Sequence, residues 1–381
     1  MAHSLAQHRL SVPKPSRVQQ SRSRLVSKRT ACIVYAKHKT ELDVVLVGDI
    51  GGTNARLSAW RVDLEGAGAT QIDNETYPSQ DFKSLDAVVD AFLARPAVRE
   101  RPPHAAALAI AGAVSANKCL MTNVEHWPII DGDDIQARHG FRVALLNDFE
   151  AVGYGIPVLG PHDVVPLNDV PVQPKAPKVV MGPGTGLGAA QLMWDTGLNA
   201  YKVWPGEGAH ATFAPRGWKQ KALARFVTTR SGHCEIEEVA CGSGLELIYE
   251  FLQSDESANR PDLLKNRTKK VVKEISAAAL DGSDPLAVEA VDLLFAIVGA
   301  EAGAMALRCL AKGGVYIAGG ITPKLLPRVK AGSLLEGFLM RAGREPFHKI
   351  LAQTPLFVIT NEQVGAMGAR EVAKSLLHQQ Q

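Results

Sequence analysis

The apolar residues of the chain recur in two patterns, continuous short runs and a spacing of three to four residues. Continuous runs predict buried strands at 44–47, 105–111, 142–146, 179–181 and 315–318. Helical spacing predicts helices at 82–93, 243–253, 267–280 and 285–311, and a last one from about Val364 to the C-terminus. Strands that alternate with helices indicate an α/β protein with a mainly parallel sheet, whose active groups lie at the carboxyl ends of the strands.

One motif occurs once in each half of the chain. The strand at 44–47 leads through Gly51 and Gly52 into a second strand at 57–60, and the strand at 179–181 leads through a glycine run into another at 189–193. Glycines at 51 and 52 can take the positive φ that a tight hairpin turn demands. The repetition predicts two related lobes that face one another across a cleft.

Composition predicts where the domains divide. The Pro-rich stretch 157–177 has the character of a linker, so we expect a small α/β domain over 41–157 and a large α/β domain over 158–359. The C-terminal helical segment, 360–381, is expected to fold back and complete the first domain.

Charge separates the first forty residues from the rest. Residues 1–40 contain nine Lys or Arg and no acid, which leaves 33 basic and 39 acidic residues elsewhere, a net charge of −6. A mildly acidic body gives no electrostatic reason to bind nucleic acid. The Ser- and Arg-rich arm predicts an organellar transit peptide, with a plastid favoured over a mitochondrion. A basic arm that touches RNA or membrane and a plain tail on a cytoplasmic protein are the alternatives.

The body of the chain is predicted to be soluble and globular. The chain is 46% apolar and 21% charged, and no apolar run is expected to span a bilayer, so no membrane partner is expected. The scattered cysteines are odd in number, which predicts reduced thiols rather than a disulfide framework. They are Cys32, Cys119, Cys234, Cys241 and Cys309.

Three glycine turns are candidates for holding a nucleotide. In the first two, backbone N–H groups and a Thr hydroxyl can converge on an anion, because no Cβ atom stands in the way. Asp49, at the end of the first strand, could hold Mg²⁺ through water. The third turn could approach the nucleoside, or could simply lead into a helix. The turn residues are Gly51, Gly52, Thr53 and Asn54; Gly184, Thr185 and Gly186; and Gly319 and Gly320.

Between the two phosphate turns lie polar residues that an apolar core would not contain. Carboxylates, an amide and an imidazole in one pocket suit a polyhydroxylated ligand, because each sugar hydroxyl both donates and accepts. Asp148 is the candidate general base. A helix-capping Asp and a merely structural His are the alternatives. The set is Asn147, Asp148, Glu207, His210 and Glu237.

Together these motifs resemble the bacterial-type (group A) glucokinases of the hexokinase and actin-like ATPase superfamily. The resemblance extends from about Val44 almost to the C-terminus and rests on 48–57, 121–123, 146–149, 182–188, 205–210 and 317–321. It implies an α/β, two-lobed actin-like ATPase (ribonuclease H-like) fold with a cleft between the lobes. It also implies transfer of the γ-phosphoryl group of ATP to the 6-hydroxyl of glucose, and a homodimer.

The resemblance further implies a role for each candidate residue. Asp148 would accept the proton of the 6-hydroxyl, and ATP phosphates with Mg²⁺ would lie between the first two glycine turns, from Asp49 to Asn54 and from Gly184 to Gly188. Adenosine would lie by Gly319 and Gly320. The sugar hydroxyls would be bound by Asn123, Asn147, Asp148, Glu207, His210 and Glu237.

Two other functions compete with this one. One is a kinase of another hexose, or one that uses polyphosphate as donor. The other is a non-catalytic sugar sensor or transcriptional regulator, which is disfavoured because the sequence shows no helix-turn-helix and because Asp148 is present. Related sugar kinases and repressors carry a cysteine-rich zinc motif where this chain has only Cys234 and Cys241, so no structural zinc is expected.

Overall fold

The computed structural model describes residues 43–64, 66, 68–121, 123–254 and 269–378. The predicted arm at 1–40, Cys32 and Thr122 lie outside these residues. A β-hairpin forms the centre of the first lobe. The elements of this lobe are β1 (Asp43–Ile50), β2 (Asn54–Val62), β3 (Ala69–Pro78), α1 (Leu85–Leu93), α2 (Pro96–Glu100), β4 (Ala105–Ile110), β5 (Val114–Ser115), β6 (Lys118–Cys119), β7 (Ile130–Asp131), α3 (Gly132–His139), β8 (Arg142–Asn147) and α4 (Asp148–Gly155).

The first sheet has the strand order β3-β2-β1-β4-β8. Strand β1 pairs antiparallel with β2 and parallel with β4. Its apolar residues are continuous because both faces of the sheet are covered: Val44 and Leu46 pack with α1 on one face, and Val45 and Val47 pack with the C-terminal helix on the other. Strands β5, β6 and β7 form a separate small sheet.

The second lobe repeats this arrangement around a second hairpin. Its sheet has the order β12-β11-β10-β13-β14-β9, with β10 antiparallel to β11 and parallel to β13. The elements are β9 (Val164–Pro166), β10 (Lys178–Pro183), β11 (Leu187–Asp195), β12 (Ala200–Gly206), α5 (Gly217–Ser231), α6 (Gly242–Leu252), α7 (Val272–Asp281), α8 (Pro285–Cys309), β13 (Val315–Ile317), α9 (Leu326–Lys330), α10 (Ser333–Leu339), α11 (Glu345–Ala352) and β14 (Leu356–Ile359). The last helix, α12 (Val364–His378), packs on the first sheet.

One prediction about the strands was wrong, and several strands were not predicted. Neither sheet is mainly parallel, because each has an antiparallel hairpin side and a parallel side. Strand β3, which the sequence did not predict, lies at the edge of the first sheet, where a strand needs few apolar residues. The Pro-rich linker contains β9, whose Pro166 is tolerated because β9 lies at the edge of the second sheet and pairs only with β14.

The expectation that no apolar run could span a bilayer was also wrong. Among the described helices, α8 is long and apolar enough to cross a membrane, with a mean hydropathy of 1.8 over 18 residues. In the fold, 72% of that window is buried. Leu294, Phe295 and Ile297 are fully buried there, so α8 forms the central core helix of the second lobe.

Two helices, α4 and α12, connect the lobes. Helix α4 packs on α12 and on β10, β11 and β12 of the second sheet, and α12 covers β1 and β4 of the first. The described residues fall into one compact unit. The domain boundary at 157/158 therefore stays a prediction, as does the assignment of 360–381 to the first domain.

Candidate active site

Asp148 is the first residue of α4 and follows directly on β8. The side chain of Asn147 caps the helix, because its Oδ1 accepts from the N–H groups of Phe149 (2.9 Å) and Glu150 (3.2 Å). Its Nδ2 donates to the carbonyl of Gly112 at 3.1 Å. Asn147 is thus largely occupied by the fold, with one amide hydrogen left for a ligand.

The pKa of Asp148 is raised. Burial of the carboxyl is the main cause, the N–H of Phe149 opposes it through a 2.8 Å hydrogen bond, and the negative charges of Asp49 and Glu207 add to the increase. A carboxylate that is desolvated and faced by two others is a stronger proton acceptor than one in water. Asp148 therefore has the environment of a general base.

The first glycine turn is closed by a hydrogen bond from the N–H of Gly51 to the carbonyl of Asn54, 2.9 Å long. Neither Gly51 nor Gly52 has a positive φ, so the reason given for these glycines was wrong. Gly52 is required by a close approach instead, since a Cβ there would lie 2.7 Å from Cβ of Asn123. The fold thus places Asn123 beside the first turn.

Ser79 supports this turn from beneath, a contact that the sequence did not suggest. Its hydroxyl donates to the carbonyl of Gly51 at 2.8 Å, and its N–H donates to the carbonyl of Thr53 at 2.9 Å. Ser79 is fully buried. The carbonyls of the turn are therefore held by the fold, and the exposed Thr53 lies at its tip.

Asp49 lies at the end of β1 in the cleft, opposite Arg56 of β2. Its Oδ2 accepts from Nη1 of Arg56 at 3.0 Å, and about half of its side chain (51%) is exposed. One accessible carboxylate in an open cleft fits Mg²⁺, which keeps several waters and takes few protein ligands. Among the described residues, no group of three or more His, Cys, Asp or Glu could hold a metal ion directly.

The second glycine turn is fixed by contacts to α6 and to Glu237. The N–H of Gly242, the first residue of α6, donates to the carbonyl of Gly184 at 2.9 Å, and the N–H of Gly184 donates to the carbonyl of Gly186 at 2.8 Å. Oε2 of Glu237 accepts from the N–H of Leu187 at 2.8 Å. A Cβ on Gly186 would lie 2.4 Å from that same oxygen. Glu237 thus contacts the phosphate turn; its predicted contact with sugar stays a prediction.

The third turn adjoins the second because two glycines lie against each other. Gly319 has a φ of +83°, and a Cβ on it would lie 2.3 Å from the carbonyl oxygen of Pro183. A Cβ on Gly182 would lie 2.7 Å from the nitrogen of Gly319. A Cβ added at Gly320 would have no neighbouring heavy atom within 4 Å, so the space beside this residue is open. The second and third turns therefore form one continuous wall of the second lobe.

Glu207 and His210 lie in a loop after β12 that carries a short 3₁₀ turn, 208–210. Nδ1 of His210 lies 2.7 Å from Oε2 of Glu235, and Nε2 lies 4.0 Å from Oε2 of Glu207. The pKa of His210 is raised, mainly by the hydrogen bond to Glu235 and further by the charges of Glu235, Glu237 and Glu207, while burial lowers it. Glu235 is a residue of this site that sequence reasoning missed.

A cleft of about 710 Å³ joins residues from both lobes. Of the predicted site residues it is lined by Asp49, Asp148, Gly319 and Gly320. The remaining candidates lie at the turns and in the loop described above. Phe149, next to Asp148, also lines the cleft, and its ring fills the space over Gly188, where a Cβ would lie 1.8 Å from the ring. Phe149 therefore links the candidate base Asp148 to the strand that follows the second glycine turn.

Four of the five cysteines lie in the part of the chain that the structure describes. Cys119, Cys234, Cys241 and Cys309 are free thiols in the described part of the chain, the first three buried. Burial raises the pKa of Cys234 to about 11, so the thiol stays protonated at neutral pH. The expectation that the chain binds no structural zinc stays a prediction.

Comparison with known proteins connects this geometry to one family. The glucokinase family model matches residues 46–376. A glucokinase from Synechocystis sp. is 36% identical over 346 residues, which cover 85% of this chain and 96% of that protein. A glucokinase from Nostoc sp. is 35% identical over 354 residues, 88% of this chain and 100% of its own length.

A solved structure supports the same relationship. The crystal structure of a glucokinase from an Antarctic psychrotroph matches with a TM-score of 0.75 and 26% identity, covering 87% of this chain and 99% of that one. The fold predicted from the resemblance, a two-lobed α/β structure of the actin-like ATPase type, is confirmed.

Proposed function

The chain belongs to the glucokinase family and is an ATP-dependent glucose kinase, and we propose that the cleft between its two sheets is where the phosphoryl group passes from ATP to the 6-hydroxyl of glucose. The observation that carries this proposal is the position of Asp148. It lies at the carboxyl end of β8, with a raised pKa, in the same cleft as Asp49 and the Gly319–Gly320 turn.

Asp148 is the general base of the proposed reaction. Its carboxylate accepts the proton of the 6-hydroxyl as the oxygen attacks the γ-phosphorus of ATP, the bond from that phosphorus to the β–γ bridging oxygen breaks, and ADP leaves. Phosphoryl transfer requires little covalent participation from the protein, so the positions of the reactants account for most of the catalysis. Capping by Asn147 and the contact of Phe149 with Gly188 hold the base relative to the second turn.

The two hairpin turns hold the phosphates of ATP from opposite lobes. The N–H groups of Gly51 and Gly184 close the turns themselves. The proposed phosphate donors are therefore the N–H groups at the turn tips, of Gly52 and Thr53 in the first turn and of Thr185 and Gly186 in the second. Asp49 would hold Mg²⁺ through water, where the metal would supply positive charge against the phosphates. The adenosine lies along the turn at Gly319 and Gly320.

The sugar lies on the side of Asp148 that faces Glu207. The charge of Glu207 reaches Asp148, which supports their facing the same ligand. Asn123, the free amide hydrogen of Asn147, His210 and Glu237 bind the other hydroxyls. Closure of the lobes on glucose excludes water that would otherwise attack ATP.

Replacement of Asp148 tests the proposal. The D148N variant of the full chain, assayed with Mg-ATP and glucose, is expected to lose about 10²–10⁴-fold in kcat, the usual contribution of a general base. It should unfold no more easily than the wild type at pH 7, because the fold raises the pKa of Asp148 and the ionised form therefore costs stability there. Fructose, mannose, N-acetylglucosamine and polyphosphate, tried in place of glucose or ATP, test the competing substrates.

Two results would contradict the assignment. One is a D148N variant that keeps wild-type kcat, which would mean that another residue is the general base. The other is measurable glucose binding by the wild type without turnover with any sugar or phosphoryl donor, which would favour the sensor.

The cellular context is part of the proposal. The basic, acid-free arm of residues 1–40 supports a transit peptide and a plastid location, where the enzyme would feed glucose into glycolysis. The active protein is proposed to be a homodimer that uses neither nucleic acid nor membrane. Fusion of residues 1–40 to a fluorescent protein tests the plastid location. Sedimentation of the purified chain tests the homodimer.

A further inference from the structure

The two ring nitrogens of His210 face two different carboxylates. Glu235 lies 2.7 Å from Nδ1, within hydrogen-bond distance, whereas Glu207 lies 4.0 Å from Nε2. Because a carboxylate only accepts, the close contact at Nδ1 requires the proton of the ring to be on that nitrogen. Nε2 is then the atom left for a ligand.

Backbone pairing fixes Glu235 in this place. The N–H of Phe213 donates to the carbonyl of Cys234, and the N–H of Ile236 donates to the carbonyl of Ala211, both at 2.9 Å. Cys234 and Ile236 are buried in the core of the second lobe, so the residue between them is directed away from that core. The side chain of Glu235 is about one-third exposed (33%), compared with 52% for His210.

We propose that Glu235 is a positioning residue that acts through His210, holding the imidazole ring by its Nδ1–H and so presenting Nε2 to a hydroxyl of the sugar. This inference rests on the proposed function, because it takes the sugar to lie beside His210. It assigns a role in glucose affinity to a carboxylate that touches neither the proposed phosphate turns nor Asp148.

Other charged groups lie near the His210 ring, and their effects must be distinguished from the effect of Glu235. Glu207 and Glu237 face it as negative charges. His233 contacts Thr212 in the neighbouring strand segment, and Glu238 accepts from the N–H of Glu235 at 2.9 Å. From α8, Glu301 and Arg308 line the cavity behind the loop and pair with each other at 2.9 Å.

The consequence is a pH dependence in glucose affinity. Glu235 is the main cause of the raised pKa of His210, so its removal lets the ring lose its second proton at a lower pH. The KM for glucose depends on that proton, because protonated Nε2 donates and neutral Nε2 accepts. The kcat depends on Asp148, which Glu235 does not face, and should change little.

Three variants of the full chain test this, with KM and kcat measured from about pH 5 to 9. In E235Q the amide oxygen can still accept from Nδ1–H, so KM should stay near the wild-type value at low pH, while the midpoint of its pH profile moves to lower pH. In E235A the ring is no longer held, and KM at pH 7 should rise about tenfold, equivalent to ~1.4 kcal/mol. E238Q is the matched control, a carboxylate lost from the same segment, and should leave the midpoint unchanged.

Nitrogen-15 NMR of the His210 ring gives a readout that needs no turnover. The wild type should show the proton on Nδ1 and a titration at higher pH than E235Q, and added glucose should shift the Nε2 signal. The inference is overturned if His210 titrates alike in the wild type and E235Q, or if E238Q moves the KM midpoint as far. Failure of the proposed function would appear differently, because the wild type would then phosphorylate no glucose, whether or not His210 titrates as expected.

Discussion

Two polar side chains of the candidate site also stabilise the fold. Asn147 caps α4, and Glu237 accepts from the backbone of the second phosphate turn. Loss of either side chain would therefore disturb the position of the base or of the phosphates as well as any contact with sugar. Kinetic effects at these positions mix binding with positioning, so a change in charge without a change in shape is the more informative experiment.

Glu207 allows such an experiment, since its charge is one cause of the raised pKa of Asp148. A general base works only when deprotonated, so kcat falls as the pH drops through the pKa of Asp148. The E207Q variant removes one negative charge that faces the base, which lowers that pKa. The acidic limb of kcat at saturating glucose is therefore expected to move to lower pH.

Glu362 supplies the control for this measurement. It is an exposed carboxylate that lines the same cleft but is not among the groups that shift the pKa of Asp148. E362Q should leave the acidic limb where it is in the wild type. An equal movement of the limb in E207Q and E362Q would mean that the cleft responds to its total charge and not to Glu207.

At the scale of elements, α12 packs closely across α4, the helix that begins at the proposed base Asp148. The two helices approach so closely that a Cβ on Gly368 would lie 1.8 Å from the carbonyl oxygen of Ala151 and 2.5 Å from the nitrogen of Gly155. Gly155 in turn lies against the backbone of Val364. Because α4 begins at Asp148, we expect a displacement of α12 to move the proposed base as well.

Two glycines of α12 make a matched pair for testing this contact. The G368A variant is expected to destabilise the protein by about 1–3 kcal/mol, the cost of overpacking, because the obstacle is backbone that cannot rotate away. G365A places its Cβ 3.6 Å from a methyl group of Val152, an ordinary contact. It should be neutral or stabilise by up to about 1 kcal/mol through helix propensity.

Urea unfolding of both variants measures the difference, and kcat reports whether the base has moved. G368A should lose activity as well as stability, whereas G365A should keep both. Equal stability in the two variants would show that α4 and α12 can separate without cost.

At the scale of the whole molecule, the proposed glucose site takes residues from both lobes. Asn147 and Asp148 belong to the first lobe, and Glu207, His210 and Glu237 belong to the second. A ligand held by both sets adds contacts between the lobes that the free protein lacks. Its binding should therefore stabilise the two lobes together.

We expect glucose at a hundredfold excess over its Kd to raise the free energy of unfolding by about 2.7 kcal/mol, since it binds only the folded chain. Hydrogen exchange should slow in two peptides, one around 146–155 and one around 206–213. Sorbitol at the same concentration controls for the effect of a polyol on solvent. Protection confined to one lobe would mean that glucose is not held between them.

The sequence alone determined the strands β1, β4, β8, β10 and β13 because their apolar runs are long and local, and by helical spacing it determined five of the twelve described helices, α1, α6, α7, α8 and α12. The paired hairpins also predicted the repeated sheet. It missed β3, β9 and β12, since edge strands need little apolar character and depend on a neighbour for their hydrogen bonds. It also missed the two-residue strands β5, β6 and β7 and the four-residue strand β14, whose patterns are short. The length and apolar character of α8 were underestimated. Its burial in the folded chain, and not its sequence, distinguishes it as a core helix from a membrane-spanning one.

The sequence also determined which residue types could perform the chemistry, because Asp148 and the glycine turns occur in recognisable local patterns. Only the tertiary structure decided what each one contacts. Ser79 beneath the first turn, Glu235 on His210 and Phe149 over Gly188 join positions 25 to 39 residues apart. Such contacts arise from the packing of separate elements, which no local sequence pattern encodes.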